Sequence, residues 1–281
     1  MKELALLTEF IGQHRRLLII TGAGCSTSSG IPAYRDRLGN WLARKPIQHQ
    51  EFLNQEATRK RYWARSMLGW PNMRDAQPNG LHNTLPAWEQ AGRVELLITQ
   101  NVDGLHRRAG SNKLVELHGR VGRVTCLQCS SFGDRNAVQQ RLEALNGELL
   151  ARIAQADVDF RPDGDAEFGG IDYSGLVCPP CAHCGGTLMP DVVFFGGSVP
   201  KQRVERCNMA VACADAVLVL GSSLMVYSSF RFCRLARELN KPIAIINQGV
   251  TRADDMADLK LELECVAAVE AMRPWITEPL A

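Results

Sequence analysis

Short apolar runs bounded by glycine or polar residues recur along the chain: LLII at 17–20, VELLIT at 94–99, VLVL at 217–220 and IAII at 243–246. Runs of this length without polar alternation predict strands buried on both faces. Between them, apolar positions repeat at helical spacing around 81–91, 203–213 and 229–239. Strands alternating with helices predict an α/β fold, doubly wound and Rossmann-like, with a parallel sheet covered on both sides. Two segments break that rhythm. Residues 35–80 are polar, hold Trp41, Trp63 and Trp70, and offer no good strand, so they read as an inserted helical module. Residues 122–191 hold paired cysteines, and between the pairs Val138, Leu142, Leu145, Leu149 and Ile153 step by three or four, which predicts one amphipathic helix. The acidic stretch DVDFRPDGDAEFGG lacks the carboxylate spacing of a calcium loop and reads as a solvated loop. The chain thus divides into a Rossmann-like domain (1–34, 81–121 and 192–281), the helical module (35–80) and a small cysteine-bearing domain (122–191).

Composition narrows the classes. With 281 residues, 46% hydrophobic and 22% charged, the chain suits a soluble protein with one large domain, alone or beside a small one. Its 32 Lys and Arg against 30 Asp and Glu leave a net charge of +2, so no strong field points to nucleic acid or a membrane surface. No apolar run reaches the roughly 18–20 residues that a membrane span needs. Glu3 and Glu9 within the amphipathic start MKELALLTEFIGQHRR argue against a secretory signal or transit peptide. A cytoplasmic protein is the expectation.

Ten cysteines in such a chain are unlike a disulfide framework. Cys126 with Cys129, and Cys181 with Cys184, have the spacing that binds zinc as four thiolates, whereas Cys25, Cys207, Cys213, Cys233 and Cys265 lie among apolar residues and read as small hydrophobes. The run CPPCAHCGG offers a third cysteine, Cys178. A zinc knuckle wants a small residue able to take positive φ after its second cysteine, and Gly185 meets that after Cys184 better than Ala182 does after Cys181. Four thiolates leave no open position, so Zn2+ would be structural. Unmetallated thiols, or a redox pair, are the competing reading.

The loop GAGCSTSSG follows a strand and opens a helix, so its N–H groups can cradle a diphosphate. Thr27 stands where the dinucleotide fingerprint wants a third glycine, and YRDRLGNWLARKPIQ follows in place of a second strand ending in an acid. Hydride transfer is therefore disfavoured, and an enzyme that consumes NAD, with nicotinamide as leaving group, is preferred. In TQNVDGLHRRAGSNKLVELHG, Gln100, Asn101 and Asp103 follow a strand end, where α/β sheets bind ligands. They can hydrogen-bond a ribose, a water and a carboxamide, although Asp103 also reads as a helix N-cap. His106 falls inside a short helix and reads as structural. His118 ends a second apolar segment before Gly119, and that position favours it as general base.

GAGCSTSSGIPAYR, TQNVDGLH, LHG, the two CxxC pairs, PDVVFFG, GSSLMVY and INQG run in the order found in the sirtuins, NAD-dependent protein deacylases, and the chain resembles that family from about residue 18 to 266. KPIQH, RYWAR, GWP and PDGD are most similar to the class II, sirtuin-four branch, described as lipoamidases, deacylases and ADP-ribosyltransferases. The resemblance implies NAD and Zn2+ as cofactors and acylated lysine on protein substrates as partner. It implies that residues 22–35, including Gly22, Ala23, Gly24, Ser26, Ile31, Pro32, Tyr34 and Arg35, hold the diphosphate and close over the nicotinamide ribose. Gln100 and Asn101 would contact ribose and water, and Val102 and Asp103 the carboxamide. Gly221, Ser222, Ser223, Asn247, Gln248, Gly249 and Cys265 would meet the adenosine side. Val192, Val193, Phe194, Phe195 and Gly196 would pair with the substrate peptide as an added strand. In the family's reaction the acyl oxygen attacks the ribose carbon and expels nicotinamide. His118 would then deprotonate a ribose hydroxyl, which attacks the imidate to give free lysine and O-acyl-ADP-ribose.

Ala33 and Tyr34 depart from the family's GIPDFR, and Cys25 stands where an aliphatic residue is common. Tyr62 and Arg65, three apart, resemble the class II pair that faces the acyl chain, which implies succinyl-, glutaryl- or methylglutaryl-type lysine; a solvated helix face is the alternative. ADP-ribosyl transfer shares the same NAD residues. A non-catalytic NAD sensor or zinc-ribbon interaction module is disfavoured by the set Asn101, Asp103 and His118. The oligomeric state stays open in the sequence, with a monomer favoured.

Overall fold

The computed structural model describes residues 2–42, 46–153, 159–160, 166–167 and 172–276. In chain order, α1 (Lys2–Gln13) leads into β1 (Leu17–Thr21), followed by α2 (His49–Asn54), α3 (Glu56–Asp75) and α4 (Gly80–Gln90). Next come β2 (Val94–Thr99), α5 (Leu105–Arg108), β3 (Leu114–Glu116), β4 (Gly119–Cys126) and β5 (Phe132–Asp134). Then follow α6 (Arg135–Leu145), α7 (Gly147–Ile153), β6 (Asp159–Phe160), β7 (Ala166–Glu167) and β8 (Leu188–Val192). The chain continues through α8 (Lys201–Cys213), β9 (Ala216–Leu220), α9 (Tyr227–Glu238), β10 (Ile243–Ile246), β11 (Leu259–Leu261) and α10 (Cys265–Ile276).

The apolar runs build a six-stranded parallel sheet in the order β11-β10-β9-β1-β2-β3. Because side chains alternate along a strand, Leu17 and Ile19 of β1 join a core with α1, α4 and α10, while Leu18 and Ile20 join the opposite core with α8 and α9. Both faces are covered, so the α/β doubly wound fold holds. Strand β11 escapes the sequence pattern because three residues at a sheet edge make no apolar run, while β3 falls within the second apolar segment, the one that His118 ends. From β1 the sheet grows one way to β2 and the other way to β9, which makes the carboxyl end of β1 a topological switch point.

A smaller antiparallel sheet, β5-β4-β8, carries the cysteine pairs. One core joins Phe52, Tyr62, Trp63 and Met67 of the helical segment to Val124, Val138, Leu142 and Leu188 of the cysteine segment. The two segments the sequence separates therefore bury one another. Arg135 of α6 is enclosed there, its guanidinium 5.3 Å from the ring centres of both Trp63 and Trp70, donating to the Ser66 carbonyl and hydroxyl at 3.1 Å. Burial pulls its pKa down to about 10.

The single helix expected over 138–153 is two helices. Asn146 breaks it: the buried side chain donates to the carbonyls of Leu142 and Val177 and accepts from Val177 N–H, and Leu145 is left 49% exposed. Within the acidic stretch at 157–170, β6 and β7 pair antiparallel; the rest of it, including PDGD, lies outside the described residues, as does Lys45 of KPIQH.

His82 of α4 and His106 of α5 are fully enclosed, their ring centres 4.6 Å apart. Burial holds the pKa of His82 down to about 4 and pushes that of His106 well below its usual value. An unfolded histidine takes a proton near pH 6.5. Below that pH the unfolded chain binds protons that the fold refuses, so each such histidine costs stability, about 1.4 kcal/mol per pH unit, until its folded pKa is reached. The melting temperature is expected to fall steeply between pH 6.5 and about 4; a scan flat down to pH 5 would contradict the neutral, buried pair.

Candidate active site

Four parallel strands, β1, β2, β9 and β10, end at Thr21, Thr99, Leu220 and Ile246, and a polar loop follows each. The loops interlock through the backbone: Gly24 N–H donates to Gly221 O at 2.9 Å, Gln100 N–H to Thr21 O at 3.0 Å, and Gly221 N–H to Ile246 O at 2.9 Å. Such approach requires glycine. A Cβ at Gly22 would lie 2.7 Å from Ser222 Cβ, and one at Gly24 2.8 Å from Gly221 O, while Gly221 itself takes φ +59°. The glycine loop opens two short 3-10 turns, Ala23–Cys25 and Thr27–Ser29, and not the α-helix the sequence suggests. Close backbone approach, more than a helix dipole, shapes this cradle.

Beyond it lies a cavity of about 770 Å³, ample for a dinucleotide. Gly22, Ala23, Gly24, Tyr34, Arg35, Gln100, Asn101, Val102 and His118 line one part of it. Gly221, Ser222, Ser223, Asn247, Gln248 and Cys265 line another. Tyr62, Val192, Val193, Phe194, Phe195 and Gly196 close the far side. The residues present thus fit a dinucleotide. Gly22→Ala is expected to weaken dinucleotide binding at least about tenfold, a loss of about 1.4 kcal/mol. A binding titration checks this, and an unchanged Kd would count against the cradle.

Six expected residues stand off the wall. Asp103 turns inward: one carboxylate oxygen accepts Leu105 N–H at 2.8 Å, and the other accepts the Ser26 hydroxyl at 2.8 Å. It ties the turn into α5, whose N-cap residue is Gly104 without a side-chain cap, and burial raises its pKa. Asn101 donates to Gly22 O and to Ser26 Oγ, each at 3.0 Å, so Ser26 is a brace beneath the glycine turn. Ile31 packs with Trp70, Met73, Leu105 and Val121, and Pro32 is exposed. Gly249 lets the backbone of Arg37 approach, where a Cβ would collide with it. Arg65 is half-buried, while Tyr62 alone of that pair reaches the cavity.

His118 is held at both ring nitrogens. Nδ1 lies 3.0 Å from Gln100 O, which can only accept, so Nδ1 carries the proton. Nε2 is then a lone pair that accepts the Ser228 hydroxyl at 2.7 Å. Burial, helped by the charge of Arg203 and opposed by the bond to Gln100 O, holds the pKa of His118 down to about 4. At neutral pH the ring is a neutral acceptor on the cavity wall. Val193 N–H donates to His118 O at 2.8 Å, tying the segment 192–196 to the same point. Phe195 O in that segment accepts His49 N–H at 2.8 Å, so part of its edge is already used.

Sequence reasoning missed Ser228 and Trp41. A serine in a helix has no periodic signature. Trp41 holds the Arg35 guanidinium 4.0 Å from its ring centre and meets Phe195 edge-on at 5.5 Å, bridging the glycine loop and the segment 192–196.

The paired cysteines converge. Cys126 and Cys184 sulfurs lie 3.5 Å apart, Cys129 and Cys181 sulfurs 3.9 Å apart, and all four fall within 4.8 Å of one another. Tetrahedral zinc with bonds of about 2.3 Å sets sulfurs roughly 3.8 Å apart, so the cluster fits the metal. Ser130 and Gly185, each just after the second cysteine of a pair, take φ of 58° and 76°. Cys178 stays outside the cluster, half-buried, its pKa pushed up to about 11 by burial.

The family model described as Sir2 family matches residues 22–228. The chain is 49% identical to an NAD-dependent protein deacetylase of Bordetella bronchiseptica over 94% of this chain and 95% of that one. It is 45% identical to the mitochondrial NAD-dependent protein lipoamidase sirtuin-4 of Bos taurus, over 92% of this chain and 82% of that one. A solved structure of Sir2 with a p53 peptide and NAD+ superposes with a TM-score of 0.75 at 28% identity, covering 98% of each chain.

Proposed function

The chain belongs to the Sir2 family, and from that premise we propose that its cavity holds NAD with the nicotinamide end toward His118, and an acylated protein lysine entering past Tyr62 and Phe194. The protein is an NAD-dependent protein deacylase. The observation that carries the placement is the fixed tautomer of His118, whose bare Nε2 stands on the cavity wall bonded to a hydroxyl. When bound, NAD supplies a leaving group and a ribose hydroxyl to receive the acyl group. A substrate hydroxyl in the place of Ser228 Oγ would give its proton to Nε2, while Gln100 O steadies the imidazolium formed. Gln100 Nε2 donates to Ser222 Oγ at 2.6 Å, which fixes that floor. The four-cysteine cluster would hold Zn2+ to brace the small sheet, with no part in the chemistry. A cytoplasmic setting is supported by ten cysteines that are all free of disulfides.

Acyl choice follows from the wall. The acidic preference implied by the Tyr62 and Arg65 pair needs a cation beside Tyr62; Arg65 stands off the wall, and the arginines that line the cavity, Arg35, Arg37 and Arg231, belong to the segment after the glycine turn and to α9. Uncharged acyl groups are therefore favoured. Turnover on acetyl-, lipoyl- and succinyl-lysine peptides, followed by nicotinamide release, is expected to rank succinyl last, with the ranking unchanged in Arg65→Met. A succinyl preference that Arg65→Met abolishes would overturn the acyl assignment, and no NAD consumption with any peptide would overturn the function.

A further inference from the structure

We propose that Cys25, His82 and His106 form a second metal site, beneath the glycine turn and separate from the four-cysteine cluster, which takes Zn2+ or a cation of like chemistry. Three elements bring these side chains together: the turn after β1, α4 and α5. Their exposures are 0%, 0% and 1%. One ligand atom from each lies within 4.8 Å of the others, and Cys25 Sγ is 3.9 Å from His106 Nε2. Bonds of about 2.0–2.3 Å to a tetrahedral cation set ligands roughly 3.3–3.8 Å apart, so the site closes by side-chain adjustments of up to about 1 Å.

The hydrogen bonds point the same way. Asn79 Nδ2 donates to Cys25 O at 2.8 Å, which fixes the amide so that Oδ1 faces His82 Nδ1 at 2.9 Å. His82 Nδ1 also lies 3.3 Å from Asn79 N–H; the shorter contact to Oδ1, which only accepts, puts the proton on Nδ1 and leaves Nε2 a bare lone pair. That Nε2 is buried without a partner, while His106 Nε2, 3.9 Å from Cys25 Sγ, meets the Thr21 hydroxyl at 3.0 Å, a hydrogen bond that the cation would replace. A buried lone pair left unsatisfied is costly. A ring whose far nitrogen donates to a carbonyl oxygen is also the usual arrangement of a metal-bound histidine. Thiol and imidazole donors select a borderline cation and not Mg2+ or Ca2+. Binding replaces the Cys25 S–H bond by a sulfur–metal bond and releases one proton. The thiolate and the Asp103 carboxylate, whose charge is felt at Cys25, together balance a divalent ion. Cys25 N–H donates to Gly22 O at 3.1 Å, so a loaded site pins the turn that cradles the dinucleotide.

The test uses the zinc-loaded protein and Co2+ as probe. One further Co2+ per chain is expected to bind, with a thiolate-to-cobalt absorption band and release of one proton, while the zinc content of one per chain is retained. The band and the extra equivalent should vanish in Cys25→Ser and in His82→Phe, with zinc content and circular dichroism unchanged. If either variant fails to fold, the other decides. No Co2+ bound to the wild type beyond exchange into the four-cysteine cluster would overturn the proposal, and so would a band that survives in a folded variant.

Discussion

His118→Ala is expected to lower acyl removal by roughly 10²–10⁴-fold, the range a positioned general base contributes, while nicotinamide release from NAD in the presence of acyl peptide survives. The division follows from what the ring can reach. Its Nε2 meets a hydroxyl at 2.7 Å and its Nδ1 is committed to Gln100 O at 3.0 Å, so its one available act is to take a proton at Nε2. Expulsion of nicotinamide needs no proton from that nitrogen. Tm should shift little, because the ring bonds one carbonyl and one serine at the cavity wall. Because the pKa is held down to about 4, the free enzyme should keep its base well below neutral pH, and the acid limb of kcat/KM should lie near that value and not near 6.5. Equal loss of nicotinamide release and acyl removal would remove His118 from the base role.

Removal of zinc is the second large effect. The four cysteines hold β4 and the 181–184 turn together, and the core above them includes Tyr62 and Phe194. That core also lines the cavity where the peptide is proposed to enter, so losing the metal should loosen substrate binding as well as the small sheet. Structural zinc contributes of order 10 kcal/mol in small zinc-dependent units. Part of that loss is absorbed here by the surrounding core, and a remainder of several kcal/mol would lower Tm by roughly 10 °C or more. Cys181→Ser should reproduce the loss and bring the zinc content to near zero. Cys178→Ser should retain one zinc per chain, since that sulfur stands outside the cluster. Metal analysis and melting curves read both; a Cys178→Ser protein without zinc, or a Cys181→Ser protein with it, would reverse the register.

The parts that were legible share a cause. The runs at 17–20, 94–99, 217–220 and 243–246 are strands because continuous apolar residues between glycines have no exposed face to offer. The cysteine pairs were legible because zinc imposes spacing on the sequence. What stayed hidden depends on contacts between distant segments. Asn146 reads as an ordinary polar residue until Val177, 31 positions on, supplies the partners that break the helix. Ser228 meets His118 across 110 positions, and α3 shares a core with α6 only because the chain folds back on itself. Asp103 illustrates a real ambiguity: both its roles were readable, and the structure shows its oxygens occupied by Leu105 and Ser26. Arg65 shows the limit of helical spacing, since it lies three positions from Tyr62 yet only Tyr62 reaches the cavity.

The central claim is that NAD is consumed beside His118 and its ribose takes the acyl group from lysine. Mass spectrometry of a single turnover, with enzyme in excess over acetyl-lysine peptide and NAD supplied, tests it most directly. One O-acyl-ADP-ribose is expected for each nicotinamide released and each lysine freed. Free ADP-ribose or an ADP-ribosylated protein with the peptide still acylated, or a deacylated peptide with NAD intact, would contradict it.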